Sequence, residues 1–192
     1  MPIDDLDYQR FPYTFNTIPG YSQDFSGGIR EAAKAVLKPY VGQSIKLLEI
    51  GVWEGRSACW LLDNVLTHPN ARYVGVDCWV SPPQVPVSAR RHLAYHGVKA
   101  RIIDGDSEVV VPKLTEKFHA VVVDGGHSRE KCSADLRNTW QKLLPGGILI
   151  CDDYAYPGLP EVPIAVDEFW GVHRDDLVLL YKSTAIAFRK LR

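Results

Sequence analysis

The chain has 192 residues, 46% of them hydrophobic, with 22 Lys and Arg against 23 Asp and Glu and a net charge of −1. That length and composition suit one domain with a full core, and the charge provides no positive field to gather phosphate backbones, so nucleic acid is not the expected partner. No run of about 18 apolar residues suggests a membrane span, and the start of the chain lacks the basic and apolar segments of a secretory signal, so a cytoplasmic location is expected.

In chain order, residues 1–28 come first, with Tyr8, Phe11, Tyr13, Phe15, Tyr21 and Phe25 scattered among Pro, Gly and Asp without periodicity. They read as an irregular aromatic arm packed on the domain; a cap over the site is the sharper alternative. From residue 29 to 192 helix and strand signals alternate. Ile29–Tyr40 is helical, with Ala32, Ala33, Val36 and Leu37 on one face, and Pro39 and Gly42 stop it. Short apolar runs follow at Leu47–Gly51, Tyr73–Asp77, Ala100–Asp104, Ala120–Asp124 and Ile148–Asp152. Their near-continuous apolar character is that of parallel strands buried on both faces.

Helices fill the intervals, most clearly Ser128–Leu144, where Leu136, Trp140, Leu143 and Leu144 recur at helical spacing before Pro145-Gly146-Gly147. Ile164–Trp170 is a short helix. Leu177–Lys182 and Ala185–Lys190, joined by a tight connection, pair antiparallel. The fold class is α/β: a Rossmann-like three-layer sandwich whose mostly parallel seven-stranded sheet ends in an antiparallel hairpin. Four separated cysteines (Cys59, Cys78, Cys132, Cys151) without a C-x-x-C pair read as buried free thiols.

The first strand runs into Gly51-Val-Trp-Glu-Gly55-Arg-Ser57, a strand–loop–helix junction that brings bare backbone N–H groups to a polar ligand. Gly51 and Gly55 form G-x-x-x-G rather than the G-x-G-x-x-G of a pyrophosphate clamp. The second strand ends in Asp77, at the spacing where an acid holds ribose hydroxyls. The implied ligand has a ribose and no diphosphate, which disfavours a nicotinamide-dependent dehydrogenase. Cys78 and Trp79 follow directly; Trp79 suits either the core or the flat face of a base. Ser57 is either part of this site or a helix N-cap.

Asp77, Asp104, Asp124, Asp152 and Asp153 all fall at carboxyl ends of parallel strands, the ligand edge of such a sheet. If the fourth and fifth strands are neighbours, about 4.8 Å apart, Asp124, Asp152 and Asp153 converge. Three adjacent carboxylates cannot all ionise without a cation, and an all-oxygen set suits Mg²⁺, Mn²⁺ or Ca²⁺ over zinc. Alternatively Asp153 caps the next segment. His127, three residues after Asp124, has the pKa range for proton transfer near neutrality.

Taken together, Asp124-Gly-Gly-His-Ser128 with Asp135, Leu143-Leu-Pro-Gly-Gly147, Ile150-Cys-Asp-Asp-Tyr154 and Ala165-Val-Asp-Glu-Phe169 resemble the macrocin O-methyltransferase-like group of class I S-adenosylmethionine-dependent methyltransferases, across roughly residues 29–190. The resemblance implies S-adenosylmethionine as methyl donor. It places Glu49 near the positive methionine moiety, Gly51, Trp53, Gly55, Ser57, Asp77, Cys78, Trp79 and Asp124 around the cofactor, and Asp106 and Ser107 at the adenine edge. It also implies a divalent metal on Asp124, Asp152 and Asp153, and a small-molecule hydroxyl as acceptor, with Asp124 or His127 taking its proton. Gly126 stands where relatives often carry an acid, which leaves His127 as the base. A homodimer is compatible with these features. The rival readings are a non-catalytic cofactor-binding module and a metal-dependent hydroxylase on the same scaffold.

Overall fold

The computed structural model describes residues 24–192. Most of the N-terminal arm therefore lies outside the described residues. The elements run α1 (Gly27–Val36), β1 (Lys46–Ile50), α2 (Arg56–Asn64), β2 (Arg72–Asp77), α3 (Gln84–Leu93), β3 (Ala100–Asp104), α4 (Ser107–Lys113), β4 (Phe118–Val123), α5 (Arg129–Trp140), β5 (Leu143–Cys151), α6 (Glu161–Val172), β6 (Leu177–Lys182) and β7 (Ile186–Lys190).

The seven strands form one sheet in the order β3-β2-β1-β4-β5-β7-β6. The first five pair parallel, and β7 enters between β5 and β6, antiparallel to both. Alternate residues of each strand feed two cores. Leu47, Tyr73, Ala120 and Ile148 face α1, α2 and α3; Leu48, Val74, Val121 and Leu149 face α4, α5 and α6. This is the expected three-layer sandwich, and its apolar strands follow from burial on both sides. β1 and β4 are neighbours although β2 and β3 intervene in the chain, so chain direction across the sheet reverses between them. That switch point leaves a crevice at the carboxyl ends of the strands.

Three boundaries differ from the sequence expectation. α1 begins at Gly27 and ends at Val36, and Lys38–Tyr40 is a separate short 3₁₀ turn, because the ring of Pro39 removes a backbone donor. α5 stops at Trp140, and β5 already begins at Leu143, taking in Pro145-Gly146-Gly147. The three residues sit on an irregular stretch of ladder, where pairing with β4 shifts register between Phe118 and Ala120. A side chain at Gly147 would lie 3.0 Å from the His119 carbonyl, so glycine here permits close strand approach. α6 extends past Ile164–Trp170 at both ends.

Candidate active site

Gly51 pins the switch point. Its φ is +82°, and a Cβ there would fall 1.8 Å from the Asp124 carbonyl. The ends of β1 and β4 are further tied by the Asp124 N–H donating to the Ile50 carbonyl at 2.8 Å. Past Gly51 the chain turns over Asp77. One Asp77 oxygen accepts the N–H groups of Val52 and Trp53 at 2.8 and 2.9 Å, and the other accepts that of Trp79 at 2.7 Å. The carboxylate that the sequence assigns to ribose hydroxyls thus also fastens the loops after β1 and β2 to each other. Trp53 and Trp79 have φ of 48° and 54°, a region costly for bulky residues; these charge-assisted bonds offset that cost.

Gly55 is the N-cap of α2 at φ +80° with no side-chain cap bond, so the first N–H groups of α2 stay free of a capping side chain. Ser57 is therefore not the N-cap; it is buried inside the first turn. Asp24, just before α1, pairs with Arg30 at 2.9 Å and with Arg56 of α2 at 3.0 Å. Phe25 meets Trp53 edge-on at 6.5 Å. The start of the described chain thus lies against this edge of the site.

Glu49 shares the parity of Leu47 and points to the α1–α2–α3 side. It is fully buried, and Tyr73 Oη–H donates to its Oε2. Its Oε1 has no hydrogen-bond partner among the described residues. Burial raises the Glu49 carboxyl to about 7, against the pull of the Ser57 and Tyr73 hydroxyls. Such a group is costly to ionise unless a cation reaches it. Tyr73 was missed at the sequence level. The signal was Gly75, mid-strand: a Cβ there would lie 2.8 Å from Tyr73 Oη.

On the β3 side, Trp79 Nε1–H donates to Asp104 Oδ1 at 2.9 Å, and Arg90 pairs with the other Asp104 oxygen while standing 5.5 Å from the Trp79 ring centre. The indole is fixed along one edge beside the core. Cys78 is exposed. Asp106 caps α4 by accepting the Glu108 N–H at 2.9 Å and also pairs with Lys131 at 3.1 Å; the Glu108 N–H, then the Lys131 ammonium, lower its pKa. Ser107 Oγ–H donates to the buried Asp135 of α5. Burial raises the Asp135 carboxyl to about 6, with Ser107 and the Gly126 N–H acting against the rise.

At the ends of β4 and β5, one donor atom each from Asp124, His127 and Asp153 lie within 4.8 Å of one another. His127 Nε2 is 3.2 Å from Asp153 and 3.9 Å from Asp124. Hydrogen bonding to these two acids raises His127 to about 10, while burial lifts Asp124 to about 7. The trio that meets is therefore Asp124, His127 and Asp153, where the sequence placed Asp124, Asp152 and Asp153. Asp152 is buried and turned toward the start of α1: a Cβ on Gly28 would lie 2.0 Å from its Oδ1, and the Ile29 N–H points to it. Burial, then the charges of Asp124 and Asp153, raise Asp152 to about 8. Asp153 has φ 59°, which Asp tolerates better than most side chains. A histidine nitrogen with two carboxylates fits a divalent cation, and a cation there would return the raised Asp124 to the ionised form.

A family profile described as a methyltransferase domain matches residues 48–154, over half of the chain and every element just described from β1 to the end of β5. The chain belongs to this methyltransferase family. It is a class I, S-adenosylmethionine-dependent methyltransferase domain. No curated protein matches the chain closely enough to count as a relative. Among solved structures, the methyltransferase is similar to an rRNA methylase from Streptococcus thermophilus (TM-score 0.66, 13% identity, 88% of this chain and 100% of that one). It is also similar to the O-methyltransferase NovP (0.65, 21%, 85% and 78%). A third is PaMTH1 from Podospora anserina, solved with S-adenosylhomocysteine (0.61, 19%, 77% and 71%). At these identities the likeness is one of fold.

Proposed function

We propose that this methyltransferase moves the methyl group of S-adenosylmethionine to a hydroxyl oxygen of a small molecule, with a divalent cation at Asp124 and Asp153, in the manner of the macrocin-like group. One observation carries the reading: a buried Glu49 oxygen without a hydrogen-bond partner among the described residues stands near Asp124 and its cluster with His127 and Asp153, an anionic seat for a cationic donor beside a proton-accepting centre. When bound, the donor supplies an electrophilic methyl and the cation lowers the pKa of the acceptor hydroxyl. The chain supplies the rest. Glu49 receives the ammonium or sulfonium charge; Gly51, Trp53, Gly55 and Ser57 form the loop and helix start around the methionine end. Asp77 with Cys78 and Trp79 flanks the nucleoside, and Asp106 with Ser107 borders the base.

His127 acts as a base only when neutral. In the ligand-free protein its two acidic neighbours hold the proton on it. Asp124 and Asp153 would hold the cation, whose charge would weaken both attractions; the imidazole would then fall toward its ordinary range, and His127 Nε2 is the atom placed to accept the hydroxyl proton. The acceptor oxygen bonds to the methyl carbon as the sulfur–methyl bond breaks, leaving a neutral thioether. Asp152 accepts the Ile29 N–H and ties the start of α1 to the end of β5. The acid-rich edge and the net charge favour a neutral acceptor over a nucleic acid. An intact acid cluster favours an enzyme over a mere binding module, and a single histidine beside two acids is short of the 2-His-1-carboxylate set of iron hydroxylases.

The test is calorimetric titration of the protein with S-adenosylhomocysteine and with Mn²⁺, beside a methyl-transfer assay over a panel of hydroxylated small molecules. Nucleoside binding is expected without metal. Asp153→Asn is expected to weaken Mn²⁺ binding at least about tenfold and to cut turnover, with nucleoside affinity within about threefold of wild type. Absence of nucleoside binding, or turnover indifferent to both chelator and Asp153→Asn, would overturn it.

A further inference from the structure

Asp135 lies on α5, away from the sheet edge, yet its buried carboxylate is where two parts of the site meet. Ser107 Oγ–H, in the first turn of α4, donates to its Oδ1. Its Oδ2 abuts the turn after β4: a Cβ on Gly125 would lie only 2.6 Å from it. The Gly126 N–H is directed at the same group. The Asp135 main-chain carbonyl accepts the Thr139 hydroxyl at 2.7 Å, so the residue is anchored within its own helix. The turn's other ties are the His127 contacts with Asp153 and Asp124 at the strand ends and the Lys131 side chain against Gly126; neither reaches α4 through a buried group. Gly125 and Gly126 carry no side chains, Gly126 and His127 are exposed, and the Ser128 cap then starts α5.

We infer that Asp135 is a positioning residue of this methyltransferase, a single buried carboxylate that locks the Asp124–His127 turn to the start of α4 and so fixes the distance between the proton-accepting cluster and the base-binding side. The inference rests on the reading of Asp124 and His127 as facing the acceptor and of Asp106 and Ser107 as bordering the cofactor. Two consequences separate positioning from mere support of the fold. The turn must loosen locally when the carboxylate goes, and turnover per folded molecule must fall while the sheet stays intact. Well-oriented reacting groups are sensitive to displacements of about 1 Å, which alone cost on the order of a hundredfold.

The experiment compares wild type with Asp135→Ala and Asp135→Asn by amide hydrogen exchange, S-adenosylhomocysteine titration and steady-state kinetics, all well below each variant's melting temperature. Asp135→Ala is expected to raise exchange in the Gly125–Ser128 segment about tenfold or more, with β1, β4 and β5 unchanged. It is expected to lower kcat about 10- to 100-fold with acceptor KM within about threefold. Asp135→Asn, which keeps the shape and one carbonyl acceptor, should recover part of both effects. Should Asp135→Ala fail to fold, Gly125→Ala strains the same contact from the other side and should give the same local loosening and the same fall in kcat. Unchanged exchange across 125–128, or a melting-temperature drop with kcat intact, overturns the inference. If exchange rises as expected but wild type methylates nothing in the panel, the strut stands and the assigned reaction falls.

Discussion

Glu49 shows how one residue can record a missing partner. A carboxyl at zero exposure, with one oxygen on the Tyr73 hydroxyl and the other unpaired, is raised from 4.5 to about 7 by burial. Between those two values the folded chain keeps a proton that the unfolded chain has released, so ligand-free stability falls as pH climbs through the window and levels off above it. Asp135, Asp124 and Asp152, raised to about 6, 7 and 8, push the same way. Glu49→Gln is expected to flatten the melting-temperature profile between about pH 5 and pH 7, by a share on the order of 1–3 kcal/mol. Thermal melts of both proteins across that range check it; a profile as steep as wild type's would show that Glu49 ionises freely. Tyr73→Phe removes the donor to Glu49 Oε2 and leaves both carboxyl oxygens without one, at a cost of about 1–3 kcal/mol in urea unfolding. The sequence placed Glu49 inside the first strand because a lone acid in a continuous apolar run is legible there. It did not reveal Tyr73, two residues into the neighbouring strand, because a cross-strand partner on the same face depends on register.

At the scale of elements, the turns between strand ends and helices are set by backbone, and the glycines there can be ranked. Gly51 and Gly42 share nearly the same φ, +82° and +77°. Around Gly42 a Cβ meets nothing within 4 Å, whereas at Gly51 it meets the Asp124 carbonyl at 1.8 Å. Gly42→Ala should therefore cost only the left-handed penalty, about 1–2 kcal/mol. Gly51→Ala adds a clash with an adjacent strand end and is expected to cost about 4 kcal/mol or more, or to prevent folding. Urea denaturation of the pair decides it, and equal costs would mean that the β1–β4 junction yields easily. The same local reading explains what the sequence conveyed about elements. Five apolar strands, four of them closed by an acid, were readable because burial on both faces leaves a composition that little else produces. The Pro145-Gly146-Gly147 stop was misplaced: proline and glycines mark a helix end locally, but here they sit inside a strand whose ladder slips register, a matter of tertiary pairing. The Asp124–His127–Asp153 trio was likewise half legible. Strand-end acids were found, but which of Asp152 and Asp153 turns to the cleft depends on a left-handed residue and on α1 arriving over Gly28, neither visible in one dimension.

For the whole molecule, the site lies at the switch point of a single sheet, so any ligand that bridges the β1, β2 and β4 ends couples to global unfolding. A ligand that binds only the folded state adds about 2.7 kcal/mol at 100 times its dissociation constant. In a domain of this size each kcal/mol moves the melting temperature by about 2–4 °C. S-adenosylhomocysteine at that concentration should therefore raise it by about 5–10 °C near pH 7. The same shift should shrink sharply in Glu49→Gln, where the buried anion for the amino group is gone. It should survive in Asp153→Asn, whose change lies on the cation side. Mn²⁺ should show the reverse pattern, stabilising Glu49→Gln but not Asp153→Asn. Acid at pH 5 should weaken both ligands, because a protonated Glu49 cannot answer an ammonium and a protonated Asp124 cannot hold a cation. Differential scanning calorimetry of the three proteins with each ligand reads all of this at once. Loss of both shifts in both variants would mean that the nucleoside and cation sites are not separable halves of one cleft.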